Sequence, residues 1–570
     1  MRRPRFLVHL SVTLALVVFA FVFRFVDPEG PHGGLSDDHF FYVVRGWQIL
    51  FGQLPVRDFV DPGAPLTFLI SAAAQWFDRG TVSEMVLCAS SLAIGAGLTC
   101  WAAIQVSNSL LLGVVSGLFQ ISMLARYYNH PKILVYAVAI PCLWAFATRQ
   151  TFARLFAVAL TTALAFLLRH DHGVFVAMAM ATLLLVLRAP SASARLRHAL
   201  VYGVLVLALL TPYFIYLSQS GGILFHARTA MSWSERDRGR APLVLPRFTI
   251  TVPPIGAVDQ EKTNPAEALL VANGIPWTFY TLELLPVLAL LILLRAPSAF
   301  RPDWPEARAK VAMVAVLAVI LNVGFLRGSL GARFADVSVP QAVLGAWFAL
   351  VCARLFMRGE WEAGRAAAWG SRYLLPTMVA VLMLGVAGVR AHALRDRDTP
   401  ATFAEVRNVM SRYERIWPLA GWANPDSPET MALAFYLERC TEPTDFVFVS
   451  PYLPQVVGLA NRPFAGGHGD LRPDFFNTEE HQRLTIARLQ RQPVPVAIVS
   501  APEQYEGFRR SFPILDAYMA ERFRRVGTRT LAEGMKLDVL VDRRRVSVGT
   551  YEPLDLPCFV GGPEGSPLRH

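Results

Sequence analysis

The sequence predicts a mainly α-helical, polytopic membrane protein with about 11 transmembrane helices and a small C-terminal α/β domain. Hydrophobic residues fill 54% of the 570 positions, charged residues fill 17%, and the mean hydropathy is +0.39. A soluble globular protein of this length carries more charge. Apolar runs recur through residues 1–394, which we assign to the transmembrane domain, whereas residues 395–570 are richer in charge and in turn-forming residues.

Each predicted span is an apolar run that approaches the roughly 20 residues needed to cross a bilayer. Because no small-residue cleavage site follows the first run, we predict a retained helix there rather than a signal peptide. The stretch Pro65 to Phe77 is too short to cross and is predicted to be an interfacial or re-entrant helix. The spans are Phe6 to Val26, Val82 to Val106, Ser109 to Ala125, Lys132 to Ala147, Phe152 to Leu168, Gly173 to Leu187, Ala199 to Leu217, Trp277 to Leu294, Val311 to Leu326, Ser338 to Cys352 and Tyr373 to Ala391.

The basic residues predict the orientation, because cytoplasmic loops retain arginine and lysine preferentially. With the N-terminus in the cytoplasm, every inward loop is basic, and an odd number of spans places the C-terminal domain outside the cytoplasmic membrane. The inward basic residues are Arg2, Arg3 and Arg5; Arg149 and Arg154; Arg188, Arg195 and Arg197; Arg295, Arg301, Arg308 and Lys310; and Arg354, Arg358, Arg365 and Arg372. The net charge of +11 and pI near 9.6 therefore indicate anionic lipid as a partner, and no nucleic acid.

The first outer loop, residues 27–81, concentrates acidic residues among aromatic and aliphatic ones. Asp37 and Asp38 precede a predicted amphipathic helix from His39 to Leu50, for which Ser36 or Asp37 is a suitable N-cap. Asp61 opens an Asp-Pro-Gly turn, so we assign it a structural role. Ionisable residues beside membrane spans are more often functional, and we assign Asp37 and Asp38 to a site.

Cationic residues collect on the same outer side. They occur in "RYYNHPK" at 126–132, "RHDHG" at 169–173, the long outer loop 218–276 and "LRGSLGARFAD" at 326–336. The alternative is that they anchor helix ends at the interface or extend to water. Loops as long as 218–276 are usually functional, and this one either closes over a lipid or lies on anionic headgroups.

The C-terminal region is predicted to be a small α/β domain. A capped helix at 427–440 is followed by short buried strands at 445–450 and 494–501 and by a final strand at 536–544. A glycine-rich loop at 464–476 carries His468, Asp470, Arg472 and Asp474, which either contact an acceptor or only order the loop. Cys440 and Cys558 lie where a disulfide is permitted, and the sequence does not determine whether they are bridged.

Carboxylates and arginines together at a membrane surface indicate a reaction on a lipid phosphate. Guanidinium and ammonium groups match phosphate oxygens, and a carboxylate in an apolar setting acts as a general base. We find no P-loop and no dinucleotide fingerprint.

The stretch "SDDHFFYVVRGWQILFGQLPVRDFVDPGAPLTFLISAAAQWF", residues 36–77, resembles the first outer loop of the GT-C membrane glycosyltransferases. That pattern is an acidic pair, an aromatic-rich helix, G-x-x-P-Y-R-D, then G-P-L and an interfacial helix, and Val56 stands here where tyrosine is usual. The resemblance is closest to bacterial relatives of the protein mannosyltransferases and the aminoarabinose transferases.

This resemblance implies an inverting transfer of a sugar from a polyprenyl-phosphate donor to a hydroxyl of a cell-envelope glycan, lipid or protein on the outer face. It implies that Asp37 is the general base and that Asp38 or Asp58 orients the acceptor or a metal. Residues that neutralise the donor phosphate are then Arg327, Arg333, Arg169, Lys132, His170 and His172. The sequence identifies no acceptor-binding residue, and neither the sugar nor the acceptor is apparent.

No metal is predicted, with a divalent cation as the alternative. Asp37, Asp38, His170, Asp171 and His172 offer suitable ligands, but none has a diagnostic spacing. Two other functions compete with the enzyme: a transporter or flippase of a lipid-linked or acidic solute, and a noncatalytic protein of glycan assembly. Transporters place charges near the bilayer midplane and show matching halves, whereas these charges lie at the outer ends of spans.

Overall fold

The protein is a polytopic helical membrane protein whose C-terminal segment contains a small α/β fold. The computed structural model describes residues 3–26, 37–77, 79–188, 191–239, 244–250, 269, 272–295, 304, 306–326, 330–358, 407, 428–469, 471–473, 475–531 and 534–560. Among these residues, seven helices are long and apolar enough to cross a membrane: Phe6–Phe25, Val82–Ser107, Tyr127–Thr148, Ala192–Gln219, Gly274–Arg295, Ala307–Leu326 and Phe334–Cys352. Shorter apolar helices are Pro65–Phe77, Leu110–Ser122, Phe152–Leu168 and His170–Val186.

Ten of the predicted spans coincide with observed helices, and the span from Tyr373 to Ala391 lies outside the described residues. The helices in chain order are α1 Arg3–Val26, α2 Asp37–Leu50, α3 Pro65–Phe77, α4 Thr81–Ser107, α5 Leu110–Ser122, α6 His130–Thr148, α7 Phe152–Leu168, α8 His170–Val186, α9 Ala192–Gln219, α10 Ile223–Gly239, α11 Gly274–Arg295, α12 Ala307–Asn322, α13 Leu330–Arg333 and α14 Ser338–Arg358. Helix α10 lies within the predicted long outer loop, so this part of the segment is helical.

Contacts divide the chain into two compact units. The first, the membrane unit, comprises residues 1–24, 88–212 and 240–399. The second, the loop and α/β unit, comprises residues 25–87, 213–239 and 400–570. The first outer loop therefore shares a unit with the C-terminal segment.

The membrane unit is held by close helix packing. Leu16, Ala20, Ala96, Cys100 and Ile104 form one buried cluster with Ala93 and Ile121. Helix α5 approaches this cluster through small residues: a Cβ added at Gly117 would lie 2.2 Å from Leu16, which is closer than atoms can pack. Small residues are the usual means of close approach between helices in a bilayer.

The α/β part of the second unit contains a four-stranded sheet in the order β1, β2, β4, β3. The strands are β1 Val447–Ser450, β2 Val496–Ser500, β3 Phe523–Thr530 and β4 Lys536–Asp542, and a separate hairpin joins β5 Gly549–Tyr551 to β6 Leu556–Cys558. Strands β1 and β2 are parallel, and β4 pairs antiparallel with both β2 and β3. The helices are α15 Pro428–Cys440, α16 Pro454–Leu459, α17 Glu479–Arg491, α18 Pro502–Ser511 and α19 Pro513–Arg522.

The predicted helix and the three predicted strands are confirmed, but 536–544 is not the final strand, because the hairpin follows it. Strand β3 was not predicted, since its "FRRVGTRT" lacks the apolar alternation that marks a strand. Its exposed arginines suit an edge position in the sheet. Cys440 and Cys558 form a disulfide that ties the hairpin to α15.

Candidate functional site

The membrane unit contains a cluster of charged side chains at the ends of its helices, which we call the cationic cluster: Lys132, Arg169, Asp171, His172, Arg333 and Asp336, with Tyr136. The Nζ atom of Lys132 lies 2.6 Å from Oδ2 of Asp336, and the two side chains are only 9% and 16% exposed. Arg169 and Arg333 lie close enough to Lys132 for their positive charges to repel its ammonium group. Three cations therefore share the cluster with two carboxylates.

The other half of the cluster is built by the start of α8. Arg169 donates to Asp171 through two nitrogens: Nε lies 2.7 Å from Oδ1, and Nη2 donates to Oδ2. The Nδ1 atom of His172 lies 3.6 Å from Oδ1 of Asp171 and 2.7 Å from the hydroxyl of Tyr136. The segment "RHDHG" thus contributes three of its polar side chains to one cluster.

Three buried polar atoms of the cationic cluster have no hydrogen-bond partner in the described part of the chain: His172 Nε2, Arg333 Nε and Asp336 Oδ1. Buried polar atoms are nearly always hydrogen-bonded in folded proteins, since an unpaired one costs about 1–3 kcal/mol. Arg333 Nε is a donor that an anionic ligand could satisfy, whereas Asp336 Oδ1 is an acceptor that requires a donor.

One residue predicted for phosphate binding, His170, has a different environment. The ring of His170 stacks on Phe166, with centroids 4.4 Å apart. Arg327 lies outside the described residues. Of the residues predicted to bind the phosphate, the structure therefore brings four together: Lys132, Arg169, His172 and Arg333. Sequence reasoning missed Tyr136 and Asp336, because nothing local marks a tyrosine or a carboxylate whose partner lies far along the chain.

The loop and α/β unit contains the acidic residues of the first outer loop. Helix α2 begins at Asp37, whose side chain lies outside the described part of the structure, and Asp38 occupies its first turn. The Oδ1 atom of Asp38 accepts a hydrogen bond of 2.9 Å from the hydroxyl of Tyr452. A predicted catalytic carboxylate is therefore in contact with a residue of the α/β fold.

Asp58 is engaged within its own loop. Its Oδ2 atom accepts the backbone N–H of Leu54 at 2.8 Å and lies 2.6 Å from Nη2 of Arg57. This hydrogen bond to Asp58 raises the pKa of Arg57 above its usual value. The turn from Leu54 to Asp58 is tight. Within it, Val56 adopts a left-handed φ of 68°, which a β-branched residue rarely takes.

Asp61 has the predicted structural geometry. Its Oδ1 atom accepts the N–H groups of Gly63 and Ala64 at 2.7 and 2.8 Å, just before α3 begins. The residue is 1% exposed, and its Oδ2 atom has no hydrogen-bond partner among the described residues. The Asp61 side chain therefore closes the Asp-Pro-Gly turn by binding the backbone just before α3.

The α/β fold holds this loop in place. Arg488 donates to the carbonyl oxygens of Val56 and Arg57 at 3.2 and 3.1 Å. Burial lowers the pKa of Arg488 to about 10, and the nearby Asp58 opposes that shift. The N–H of Val60 donates to the carbonyl of Gly467 at 2.9 Å.

His468, which was considered for acceptor contact, is buried and hydrogen-bonds Thr485 at 2.9 Å. Burial, and then the charge of Arg488, lowers the pKa of His468 well below its usual value. Arg472 from the same loop is half-buried, whereas Asp470 and Asp474 lie outside the described residues. His468 thus serves the packing of the loop rather than an exposed surface.

No protein-family model matches this chain, and no curated protein matches it. Among solved structures, the chain is similar to ArnT from Cupriavidus metallidurans in the apo state. The two sequences are 16% identical, the match covers 94% of this chain and 98% of that chain, and the TM-score is 0.45.

Proposed function

We propose that this protein is a membrane glycosyltransferase of the GT-C type. It transfers a sugar from a polyprenyl-phosphate donor to an acceptor hydroxyl of a cell-envelope glycan, lipid or protein, with inversion at the anomeric carbon. The reaction takes place on the outer face of the cytoplasmic membrane, with the N-terminus in the cytoplasm and the α/β domain outside.

The cationic cluster is the observation that carries this proposal. Lys132, Arg169 and Arg333 outnumber Asp171 and Asp336, and Arg333 Nε is a buried donor without a hydrogen-bond partner among the described residues. A lipid phosphate supplies the missing negative charge and oxygen acceptors beside apolar helices. Such an anion is the leaving group of the proposed reaction.

The proposed chemistry is a single displacement. Asp37 takes the proton of the acceptor hydroxyl, the acceptor oxygen bonds to the anomeric carbon, and the bond from that carbon to the phosphate oxygen breaks. The electron pair leaves with the lipid phosphate, where fixed cations stabilise the charge that develops. Asp38 orients the acceptor, and Asp58, held by Arg57 and Leu54, has a supporting role in the shape of the loop.

The disulfide between Cys440 and Cys558 supports an outer location for the α/β fold. Disulfides persist in oxidising compartments and are rare in the cytoplasm. A sugar donor bound to a lipid suits the same side, because nucleotide sugars are not available there.

The test measures the transfer of radiolabelled sugar from a panel of polyprenyl-phosphate sugars to membrane extract by the purified full-length protein. We expect Asp37→Asn to lower transfer by about a hundredfold or more, because a general base contributes roughly 10²–10⁴ in rate. The matched control is Arg195→Gln, which removes an exposed charge on α9. Chelation with EDTA is expected to leave transfer unchanged, since the proposed roles use no metal.

Full transfer by Asp37→Asn would refute its assignment as the base. No transfer by the wild-type protein from any donor, together with saturable binding of a lipid-linked solute, would instead favour the transporter or the assembly protein.

A further inference from the structure

Tyr452 connects the α/β fold to the acidic pair of the first outer loop. The residue follows strand β1, two positions before helix α16, and its hydroxyl donates to Oδ1 of Asp38 at 2.9 Å. The two residues are 414 positions apart in the chain. A hydrogen bond to a carboxylate is stronger than one between neutral groups, and it restricts where the carboxylate points.

The ring of Tyr452 is itself held in place. The guanidinium carbon of Arg472 lies 4.0 Å from its centroid, and the same group lies 5.0 Å from the ring of Phe475 and 5.2 Å from that of Trp233. A guanidinium stacked on aromatic rings is attracted to their faces and is less free to move than an exposed arginine. The hydroxyl of Tyr452 is thus presented by a fixed surface.

Further contacts fix α2 against the same part of the α/β fold. The side-chain amide of Gln48 accepts from the N–H of Phe464 at 3.0 Å and donates to its carbonyl at 3.1 Å. A Cβ added at Gly458 of α16 would lie 3.1 Å from Phe40 and 3.2 Å from Val44, so this glycine allows α16 to approach α2 closely. The distance between Tyr452 and Asp38 is therefore set by the packing of two elements and not by one flexible side chain.

We propose that Tyr452 is a positioning residue that holds the carboxylate of Asp38 in the orientation needed to bind the acceptor hydroxyl. The inference rests on the proposed function and deepens it, because it makes the C-terminal domain part of the site. Arg472, which stacks on Tyr452, contributes indirectly by keeping the phenol ring in place.

The kinetic test compares Tyr452→Phe, which removes only the hydroxyl, with Tyr518→Phe. Tyr518 is a matched control because its hydroxyl also belongs to the α/β fold but accepts from Arg522, at 2.6 Å, instead of reaching the first outer loop. We expect Tyr452→Phe to lower kcat by about tenfold or more with KM for the lipid donor unchanged, since one hydrogen bond to a charged group is lost. Tyr518→Phe is expected to retain wild-type kcat.

Hydrogen exchange tests the hydrogen bond between Tyr452 and Asp38 without requiring enzyme activity. Exchange is measured over the first turns of α2 in wild type, Tyr452→Phe, Asp38→Ala and the double variant. We expect faster exchange in Tyr452→Phe, and the double variant is expected to exchange no faster than Asp38→Ala alone, because each substitution removes the same hydrogen bond. Additive effects of the two substitutions would overturn the proposal, and so would an unchanged kcat in Tyr452→Phe.

The two measurements separate this inference from the proposed function. If the wild-type protein transfers no sugar, the proposed function fails, and the exchange experiment alone decides whether Tyr452 holds Asp38. If transfer occurs and both tyrosine variants behave alike, the function stands and the positioning role is refuted.

Discussion

The cationic cluster and the first outer loop use the same kinds of residue in different ways. In the loop, Asp58 and Asp61 bind groups within four residues of themselves, from Leu54 to Ala64. In the cluster, Lys132 pairs with Asp336 across 204 positions, and Tyr136 with His172 across 36. A carboxylate that accepts hydrogen bonds from its own turn stabilises the local backbone conformation. Charged side chains that come from distant helices and have buried atoms without hydrogen-bond partners are better candidates for ligand binding.

The largest expected effect is that of Arg333→Gln in the cationic cluster. Transfer is expected to fall by about a hundred- to a thousandfold, because a fixed cation at the developing phosphate charge is lost. The thermal midpoint is expected to change little, since Asp336 and Asp171 keep their partners Lys132 and Arg169. Initial rates and thermal unfolding are measured with Arg195→Gln as control, and unchanged transfer would remove Arg333 from the site.

Asp61→Ala tests whether the carboxylates of the first outer loop stabilise the local structure. The substitution leaves the buried N–H groups of Gly63 and Ala64 without their acceptor, so the free energy of unfolding is expected to fall by about 2 kcal/mol. Denaturation of the full-length protein in detergent measures this change. A loss of transfer with no loss of stability would contradict the structural role and place Asp61 in the chemistry.

The lowered pKa of His468 predicts that the stability of the folded protein depends on pH. Its lowered pKa means that the folded protein leaves this imidazole neutral while the unfolded chain protonates it below about pH 6.5. Stability from this group is therefore complete above pH 6.5 and is lost as the pH falls, by up to about 1.4 kcal/mol per pH unit.

Thermal midpoints between pH 7.5 and 5 are compared for wild type and His468→Gln, which retains a hydrogen-bonding group toward Thr485. The variant is expected to show a shallower decline below pH 6.5. Equal slopes would show that another group dominates this pH range.

The smallest expected effect is that of Arg57→Gln. The Arg57 side chain is 51% exposed, and exposed ion pairs contribute at most about 1 kcal/mol, so both stability and transfer are expected to stay close to wild type. Asp58→Asn sharpens the result, since it keeps an acceptor for Leu54 without the charge. A hundredfold loss of transfer in Asp58→Asn at unchanged stability would return Asp58 to the catalytic group.

Several features of the fold were predictable from the sequence because they depend on local patterns. Apolar runs located ten helices, and short apolar stretches at 445–450 and 494–501 located strands β1 and β2. Strand β3 and the β5–β6 hairpin were not predictable, since their polar residues carry no periodicity and their pairing depends on neighbours. The same limit hid helix α10 within a segment that was predicted to be a loop.

By itself, the sequence determined the membrane class, the acidic first loop, the turn at Asp61 and the cationic residues beside the spans, because these follow from composition and from residues close together in the chain. Only the tertiary structure decided that Asp336 and Tyr136 join Lys132 and His172, that Cys440 is bridged to Cys558, and that Tyr452 reaches Asp38. The physical reason is that hydrogen bonds and ion pairs act over about 3 Å in space, whereas the sequence records only separation along the chain.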